Sequence, residues 1–349
     1  MNTQSINRAA SSPLLKISTF FIMLLHMAGC TDSNSWQKGE GMIWHTVWHA
    51  TYLGEPEMLT AAIDSLKSVE RSISVFDPNS LISKINASEY GMTDTHLANV
   101  YNKAKEINHL SNGMFDPTIS RIIDAWGFGK DHTANADTAS VKEMLKTVGI
   151  DKTYIQDGIL YKESPEISFN FSAIAKGYGV DVAAKTLRDR GCRNLMFDIG
   201  GEIVCYGNNP DGRKWRILIE TPDEQFLRDE MNSDRLPTFS SPLVVELSDE
   251  SLATSGNYRN YRKNNGRPYG HTISPSTGRP VMTDILSASV IAPTCMEADA
   301  MATACMAMGS ADGMAMLLEK GLPGAFILYS GEVLVNDKMN EHIVKTDGQ

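Results

Sequence analysis

Thr294-Cys-Met-Glu-Ala-Asp-Ala-Met-Ala-Thr-Ala-Cys-Met-Ala-Met-Gly309 is the stretch from which the interior of this protein can be read. Thr294 with Glu297 three residues later is a capping box, and Gly309 suits the position just past a helix. Residues Cys295 to Met308 are therefore predicted helical. Apart from Glu297 in the first turn, the segment is Ala, Met and Cys on nearly every face, which marks a buried helix. Asp299 and Thr303 are the exceptions, and a spacing of four puts them on one face. A carboxylate on a buried helix must be paired or bind a metal, because leaving it bare is prohibitively costly. Two readings stay open for this helix alone. Asp299 accepts a neighbouring backbone N–H, or Asp299 and Thr303 offer hard oxygens to a Mg²⁺ that holds a phosphate.

A second segment lies more than a hundred residues upstream: Asn170-Phe-Ser-Ala-Ile-Ala-Lys-Gly-Tyr-Gly-Val-Asp181. Ser172 is placed to cap a helix running from Ala173 to about Arg190 and stopped by Gly191. Gly177 and Gly179 sit inside that helix, each costing about 1 kcal/mol relative to Ala. Their presence implies that something approaches the backbone closely. Lys176 lies in the first turn, where the helix dipole disfavours a cation. An anion held by the free N–H groups and by Lys176 would resolve the conflict; a solvated lysine is the alternative.

Around these segments the chain reads as an exported protein. Arg8 and Lys16 precede an apolar run from Ile17 to Met27, followed by Ala28-Gly29-Cys30. That run is too short for a permanent membrane span and has the shape of a secretory signal. Ala-Gly-Cys resembles a bacterial lipobox, so residues 1–29 are expected to be a signal peptide and Cys30 the lipidated anchor. Residues 30–41 then read as a tether and 42–349 as a single domain. The formal charge of −10 becomes −12 once Arg8 and Lys16 are removed, which argues against nucleic acid as a partner. Cys192, Cys205, Cys295 and Cys305 lack zinc-ligand spacing and are expected as buried free thiols.

Helical patterns cover 56–74, 80–87, 94–111, 117–125 and 138–148, with a last one near 311–320. Strand patterns fall at 44–53, 153–156, 167–169, 195–198, 202–206, 215–219, 243–247, 258–263, 271–273, 286–292, 325–329 and 333–336. Strands gathered in the second half, without βαβ alternation, predict an α+β fold with antiparallel sheets flanked by helices. Residues 222–242 are polar and weakly periodic and read as a surface insertion.

Further motifs complete an ordered set. They are Phe115-Asp-Pro-Thr118 with Trp126-Gly-Phe-Gly129, Asp198-Ile-Gly-Gly-Glu202, Thr254-Ser-Gly-Asn-Tyr258 and His271-Thr-Ile-Ser-Pro-Ser-Thr-Gly-Arg-Pro280. Together with the two helices, this set resembles the ApbE family over roughly residues 41 to 336. ApbE proteins are flavin transferases that take FAD and attach its FMN half to a Thr or Ser of another protein. The resemblance implies a T-fold-like unit with the active site between two sub-regions, FAD as substrate and Mg²⁺ as cofactor. Carried over residue by residue, the metal would be held by Asp299, Thr303 and the carbonyl of Ala173, with Lys176 facing the phosphates. His271 is the expected proton acceptor for the incoming hydroxyl. Trp44, Phe76, Phe115, Asp116, Thr118, Asn170, Gly200, Gly201, Ser255, Gly256 and Ile273 resemble positions that bind the cofactor.

Core aromatics remain the alternative for Trp44, Phe76 and Phe115. A bulge or tight turn remains the alternative for Gly200-Gly201, and a turn for Thr254-Ser255-Gly256. The chain departs from the family pattern at three places: Asn170 and Ser274 stand where Asp is frequent, and Trp44-His45-Thr46 where Met-Gly-Thr is common. The family's acceptors carry an Asp-x-x-Ser/Thr-Gly-Ala-Ser/Thr-like segment, as in electron-transport subunits. Three functions fit this reading: FMN transfer to a protein, FAD hydrolysis to FMN and AMP, and flavin binding without turnover.

Overall fold

The computed structural model describes residues 35–129, 136–220, 243–257, 261–264 and 267–344. The signal segment with Cys30, the insertion at 222–242 and the first residues of the 258–263 pattern lie outside them. One sheet of eight strands runs, in spatial order, through β1 (Trp36–Ile43), β2 (Thr46–Leu53), β6 (Leu195–Ile199), β7 (Glu202–Tyr206), β10 (Glu250–Gly256), β13 (Ile285–Ala292), β14 (Gly324–Leu328) and β15 (Val333–Val335). All its neighbouring strands pair antiparallel. Smaller antiparallel ribbons join β3 (Tyr90–Met92), β5 (Ile159–Lys162) and β4 (Thr153–Gln156), and β8 (Trp215–Ile219) with β9 (Leu243–Leu247). A last ribbon pairs β11 (Tyr261–Asn264) with β12 (Arg267–Gly270).

The helices are α1 (Glu57–Ile73), α2 (Leu81–Asn86), α3 (Thr95–Leu110), α4 (Ser120–Ala125), α5 (Thr138–Leu145), α6 (Ser172–Asp189), α7 (Cys295–Met308), α8 (Ser310–Lys320) and α9 (Asp337–Asn340). The fold is α+β, with antiparallel sheets flanked by helices. β13 is buried at every position, as a strand covered on both faces must be. On one face α7 packs on β10 and β13, while its neighbour α6 packs on β6 and β7. On the other, Trp215, Ile217, Val245 and Leu247 of the β8–β9 ribbon join Leu252 and Ile291 in a separate apolar cluster.

Several expectations need correction. Residues 36–41, expected as the end of a tether, are strand, because β1 begins at Trp36 and pairs with β2 along its length. Its glycines are packing devices rather than linker residues. A Cβ on Gly39 would lie 2.4 Å from Leu59 Cδ2, and one on Gly41 2.8 Å from Trp48 Nε1. Trp44, expected at the start of a strand, belongs with His45 to the two-residue turn between β1 and β2. Ser172 does not cap α6 through its side chain. It lies inside the first turn, and Asn170 Oδ1 accepts its N–H at 2.9 Å. The patterns at 167–169 and 271–273 make only single bridges, Ile119 to Ser168 and Ile273 to Pro280. Thr254-Ser255-Gly256 is strand, the end of β10, and not a turn.

Candidate active site

The C-terminal half of β10, the start of α6 and the middle of α7 converge on one cleft of about 920 Å³. α7 forms where it was expected, with Thr294 Oγ1 accepting the Glu297 N–H at 3.3 Å and Asp299 3 % exposed. The first of the two readings for Asp299 is realised: Gly177 N–H donates to its Oδ2 at 2.9 Å. Gly177 has no side chain because α7 occupies its space. A Cβ there would meet the Cys295 carbonyl oxygen at 2.3 Å and Asp299 Cβ at 2.8 Å. Gly179 likewise makes room for the Trp44 ring, 2.4 Å from where its Cβ would stand. The close approach inferred from these glycines comes from the protein's own elements.

In an unbroken helix the Gly177 N–H would pair with the Ala173 carbonyl four residues earlier. Its bond to Asp299 draws that donor toward α7. Ala173, Asp299 and Thr303 all line the cleft, bringing one carboxylate, one hydroxyl and one backbone carbonyl to the same wall. Thr303 Oγ1 is 3.0 Å from Ser255 Oγ. Among the described residues no group of three His, Cys, Asp or Glu is placed to hold a metal ion. A cation here would therefore rest on one carboxylate supplemented by neutral oxygens, which is chemistry that hard cations accept.

Lys176 keeps 36 % of its side chain exposed to the cleft, but it is paired with a carboxylate rather than free in solvent. Its Nζ pairs with Glu202 Oε2 at 2.5 Å, and the Glu202 side chain is 2 % exposed. Burial works against the Lys176 ammonium, but Glu202 and then Asp299 outweigh it and hold its pKa above the ordinary value. Burial pushes the Glu202 carboxyl up to about 8, with Lys176 opposing and Asp299 reinforcing the shift. The Asp299 carboxyl is raised by burial as well. Burial thus favours the neutral forms of both carboxyls beside one partly exposed ammonium, and a divalent cation would favour their charged forms. Glu202 closes the Asp198-Ile-Gly-Gly-Glu202 motif, whose pattern by itself assigns it no role. The available signal was a lone acid opening an apolar strand, Glu202-Ile-Val-Cys-Tyr206.

The remaining expected residues divide clearly. Trp44, Phe76, Phe115, Asp116, Asn170, Gly200, Gly201, Ser255, Gly256, His271 and Ile273 all line the cleft. Phe76 is 48 % exposed, so it is a wall residue and not a core aromatic, whereas Phe115 is buried. Gly200 and Gly201, at φ 65° and 106°, form the turn between β6 and β7, and Asp198 Oδ1 accepts the Gly201 N–H at 2.7 Å. The His271 ring meets Phe128 edge-on at 6.3 Å.

Thr118 is the correction, being off the lining. Its hydroxyl donates to Asp116 Oδ1 at 2.6 Å and accepts the Gly149 N–H at 2.7 Å, which pins a loop. Asp116 also accepts from Asn108 Nδ2 and the N–H groups of Thr118 and Ile150, so its carboxylate organises the wall from behind. Ser274 caps its own turn, accepting the Thr277 N–H at 3.3 Å. His49, which no motif includes, and Asp198, which opens a motif without an assigned role, are also cleft residues. Directly opposed on β2 and β6, they pair Nδ1 to Oδ2 at 3.0 Å. Cys192, Cys205, Cys295 and Cys305 are all free and buried.

Comparison with known proteins places this arrangement. The ApbE family model matches residues 44–326. The FAD:protein FMN transferase of Vibrio cholerae serotype O1 is 34 % identical over 320 residues, covering 87 % of this chain and 91 % of that one. The solved structure of the flavin transferase ApbE from Vibrio cholerae superposes with a TM-score of 0.76 at 30 % identity, over 88 % of this chain and 99 % of that one. The apo flavinyl transferase ApbE of Pseudomonas stutzeri shares the fold, with a TM-score of 0.79 at 23 % identity over 90 % and 98 % of the two chains.

Proposed function

The chain belongs to the ApbE family, and from that premise we propose that it transfers the FMN half of FAD to a Ser or Thr hydroxyl of an acceptor protein, with release of AMP. The observation that carries this reading is the partly exposed Lys176 with the buried acids Glu202 and Asp299, beside Thr303 and Ala173 on one cleft wall. The reaction forms a bond from the acceptor oxygen to the FMN-side phosphorus and breaks that phosphorus's bond to the bridging oxygen, whose electron pair leaves with AMP. Little covalent work falls to the protein; it must position the groups and neutralise the phosphate oxygens. Lys176, presented to the cleft from the second turn of α6, supplies positive charge. His271 takes the hydroxyl proton. Asp299, Thr303 and the Ala173 carbonyl would hold Mg²⁺, which when bound neutralises phosphate oxygens as a Lewis acid.

Purified protein incubated with FAD, Mg²⁺ and an acceptor carrying the Asp-x-x-Ser/Thr-Gly-Ala-Ser/Thr-like segment should yield an acceptor band with in-gel flavin fluorescence and one AMP per flavin attached. FMN and AMP released with no labelled acceptor would make the chain a hydrolase; flavin binding without AMP would make it a carrier.

We infer further that the protein is an exported lipoprotein anchored through Cys30. The apolar run ahead of Ala-Gly-Cys supports this, and among the described residues no helix is long and apolar enough to cross a membrane. Cys30→Ser should move the protein out of the membrane fraction, and retention there with lipid attached would remove Cys30 as the anchor.

A further inference from the structure

α6 grips α7 at two points, one helical turn apart on each partner. Asp181 Oδ1 accepts the Cys295 N–H and its Oδ2 the Met296 N–H, both at 2.8 Å. One turn earlier on α6, Gly177 N–H donates to Asp299 Oδ2 at 2.9 Å. The two steps match, 177 to 181 on one helix and 295 to 299 on the other, so the grips set one register between the helices. The backbone of α7 lies directly on α6, because the missing Cβ of Gly177 leaves no spacer. α7 also has a cap of its own in Thr294, which serves the Glu297 N–H. The Asp181 clamp reaches instead from a different helix, 114 residues away in sequence. It takes two of the N–H groups that a helix start leaves without partners.

We propose that Asp181 is a positioning residue, whose clamp on the first turn of α7 fixes the register that presents Asp299 to the cation. The proposal rests on the cation reading given above. A sub-ångström slide of α7 would move Asp299 and Thr303 together, since one rigid helix carries both. The clamp acts on cation affinity first and on turnover through it.

The test measures Mn²⁺ binding to the purified protein by the loss of the free-ion EPR signal, with thermal unfolding recorded alongside. Wild type should bind one Mn²⁺, and Asp181→Ala should bind it about 10- to 100-fold more weakly, as loss of a group that orients a metal ligand does. Asp181→Asn loses the charge, keeps an oxygen for the Cys295 N–H and turns its own N–H toward that of Met296, and should fall between wild type and Asp181→Ala. Thr294→Ala removes the helix's own cap and should lower the unfolding temperature, yet leave Mn²⁺ affinity within about threefold.

If Asp181→Ala does not fold, Asp181→Ser, too short to reach both N–H groups, takes its place. Wild-type affinity in the folded alanine or serine variant would overturn the proposal. So would a loss in Asp181→Asn equal to alanine's, which would assign the effect to charge, or an equal loss in Thr294→Ala, which would make it generic fraying. A wild type that binds no Mn²⁺ would instead sink the cation reading itself, and the positioning role with it.

Discussion

Lys176 on α6 and Glu202 on β7 form an ion pair of 2.5 Å inside the cleft, with the acid almost fully enclosed. A buried carboxylate at this place must be compensated, and the pair joins the helix that starts the site to the strand beside it. On the proposed function FAD phosphates would give Lys176 a second anionic partner, and the Glu202 contact fixes the direction of its side chain. Lys176→Met should therefore affect both chemistry and fold. Losing one charge-assisted contact costs about 1.5–3 kcal/mol, so turnover on FAD should fall by roughly 10- to 150-fold. Stability should fall too, because Glu202 is left unpaired; the double variant with Glu202→Gln should recover much of the unfolding midpoint and none of the rate. A full rate in Lys176→Met would remove the lysine from the phosphate site.

The same buried acids give the cation-free protein a pH dependence with a definite sign. Glu202 has its carboxyl raised to about 8 by burial, from an ordinary 4.5, and Asp181 is raised to about 6, again chiefly by burial. For a group whose folded pKa is raised, the stabilisation is complete below the unfolded pKa and is lost as pH rises through the folded one. Urea midpoints measured with EDTA should thus decline between about pH 4.5 and 8. In Glu202→Gln the decline from this group should disappear, leaving a flatter curve. A wild-type midpoint that rises across that window would contradict the assignment.

Asp299→Ala should abolish Mg²⁺-dependent transfer, because the site has a single carboxylate among its expected ligands. Thr303→Val removes a neutral oxygen and should be milder, with rate recovered at higher Mg²⁺. Its hydroxyl also meets Ser255, so Ser255→Ala should shift the Mg²⁺ requirement in the same direction by a smaller factor. Wild-type rates in Asp299→Ala at low millimolar Mg²⁺ would refute the ligand role.

α7 was legible in the sequence to the residue, since its cap, its stop and its apolar composition all agree. The antiparallel α+β class followed from strand spacing in the same way. What escaped depended on partners distant in sequence. Gly39 and Gly41 look like linker until the Trp48 ring and Leu59 side chain are known to lie over them. Glu202 looks like an ordinary polar strand residue until Lys176 is brought to it by α6. Asp181 is one acid on an amphipathic helix until α7 sets its first turn against it. Thr118 erred in the other direction: its place in a motif suggested a ligand contact, but local hydrogen bonds engage the hydroxyl.

Lys162 predicts a purely structural effect. Its ammonium is enclosed by backbone carbonyls, donating to Ile85 at 3.0 Å, Pro165 at 3.1 Å and Ile167 at 2.8 Å, with Asn86 at 3.4 Å. It ties the end of α2 to the stretch leading into α6. Lys162→Met keeps the stem but leaves those acceptors unpartnered, and should cost about 3 kcal/mol or more. The denaturant midpoint should fall while the Mg²⁺ dependence of the surviving activity stays put. A neutral effect on the midpoint would mean that water replaces the ammonium.

His45 offers the opposite sign. Trp44 and His45 have φ of 49° and 62° and form the whole turn between β1 and β2, since Ile43 and Thr46 already pair. A two-residue hairpin with both φ positive favours Asn and Gly, and the left-handed conformation costs other residues about 1–2 kcal/mol. The Trp44 ring is seated above Gly179, so replacing it would lose packing. His45 is exposed, touching Phe76 edge-on at 6.4 Å on the cleft wall. His45→Gly should therefore stabilise the protein by about 1 kcal/mol, the strain relieved less the entropy that glycine adds to the unfolded chain. Thermal unfolding checks this directly: a higher midpoint in His45→Gly locates the strain at this residue. A lower one would show that the His45–Phe76 contact contributes more stability than the turn conformation costs.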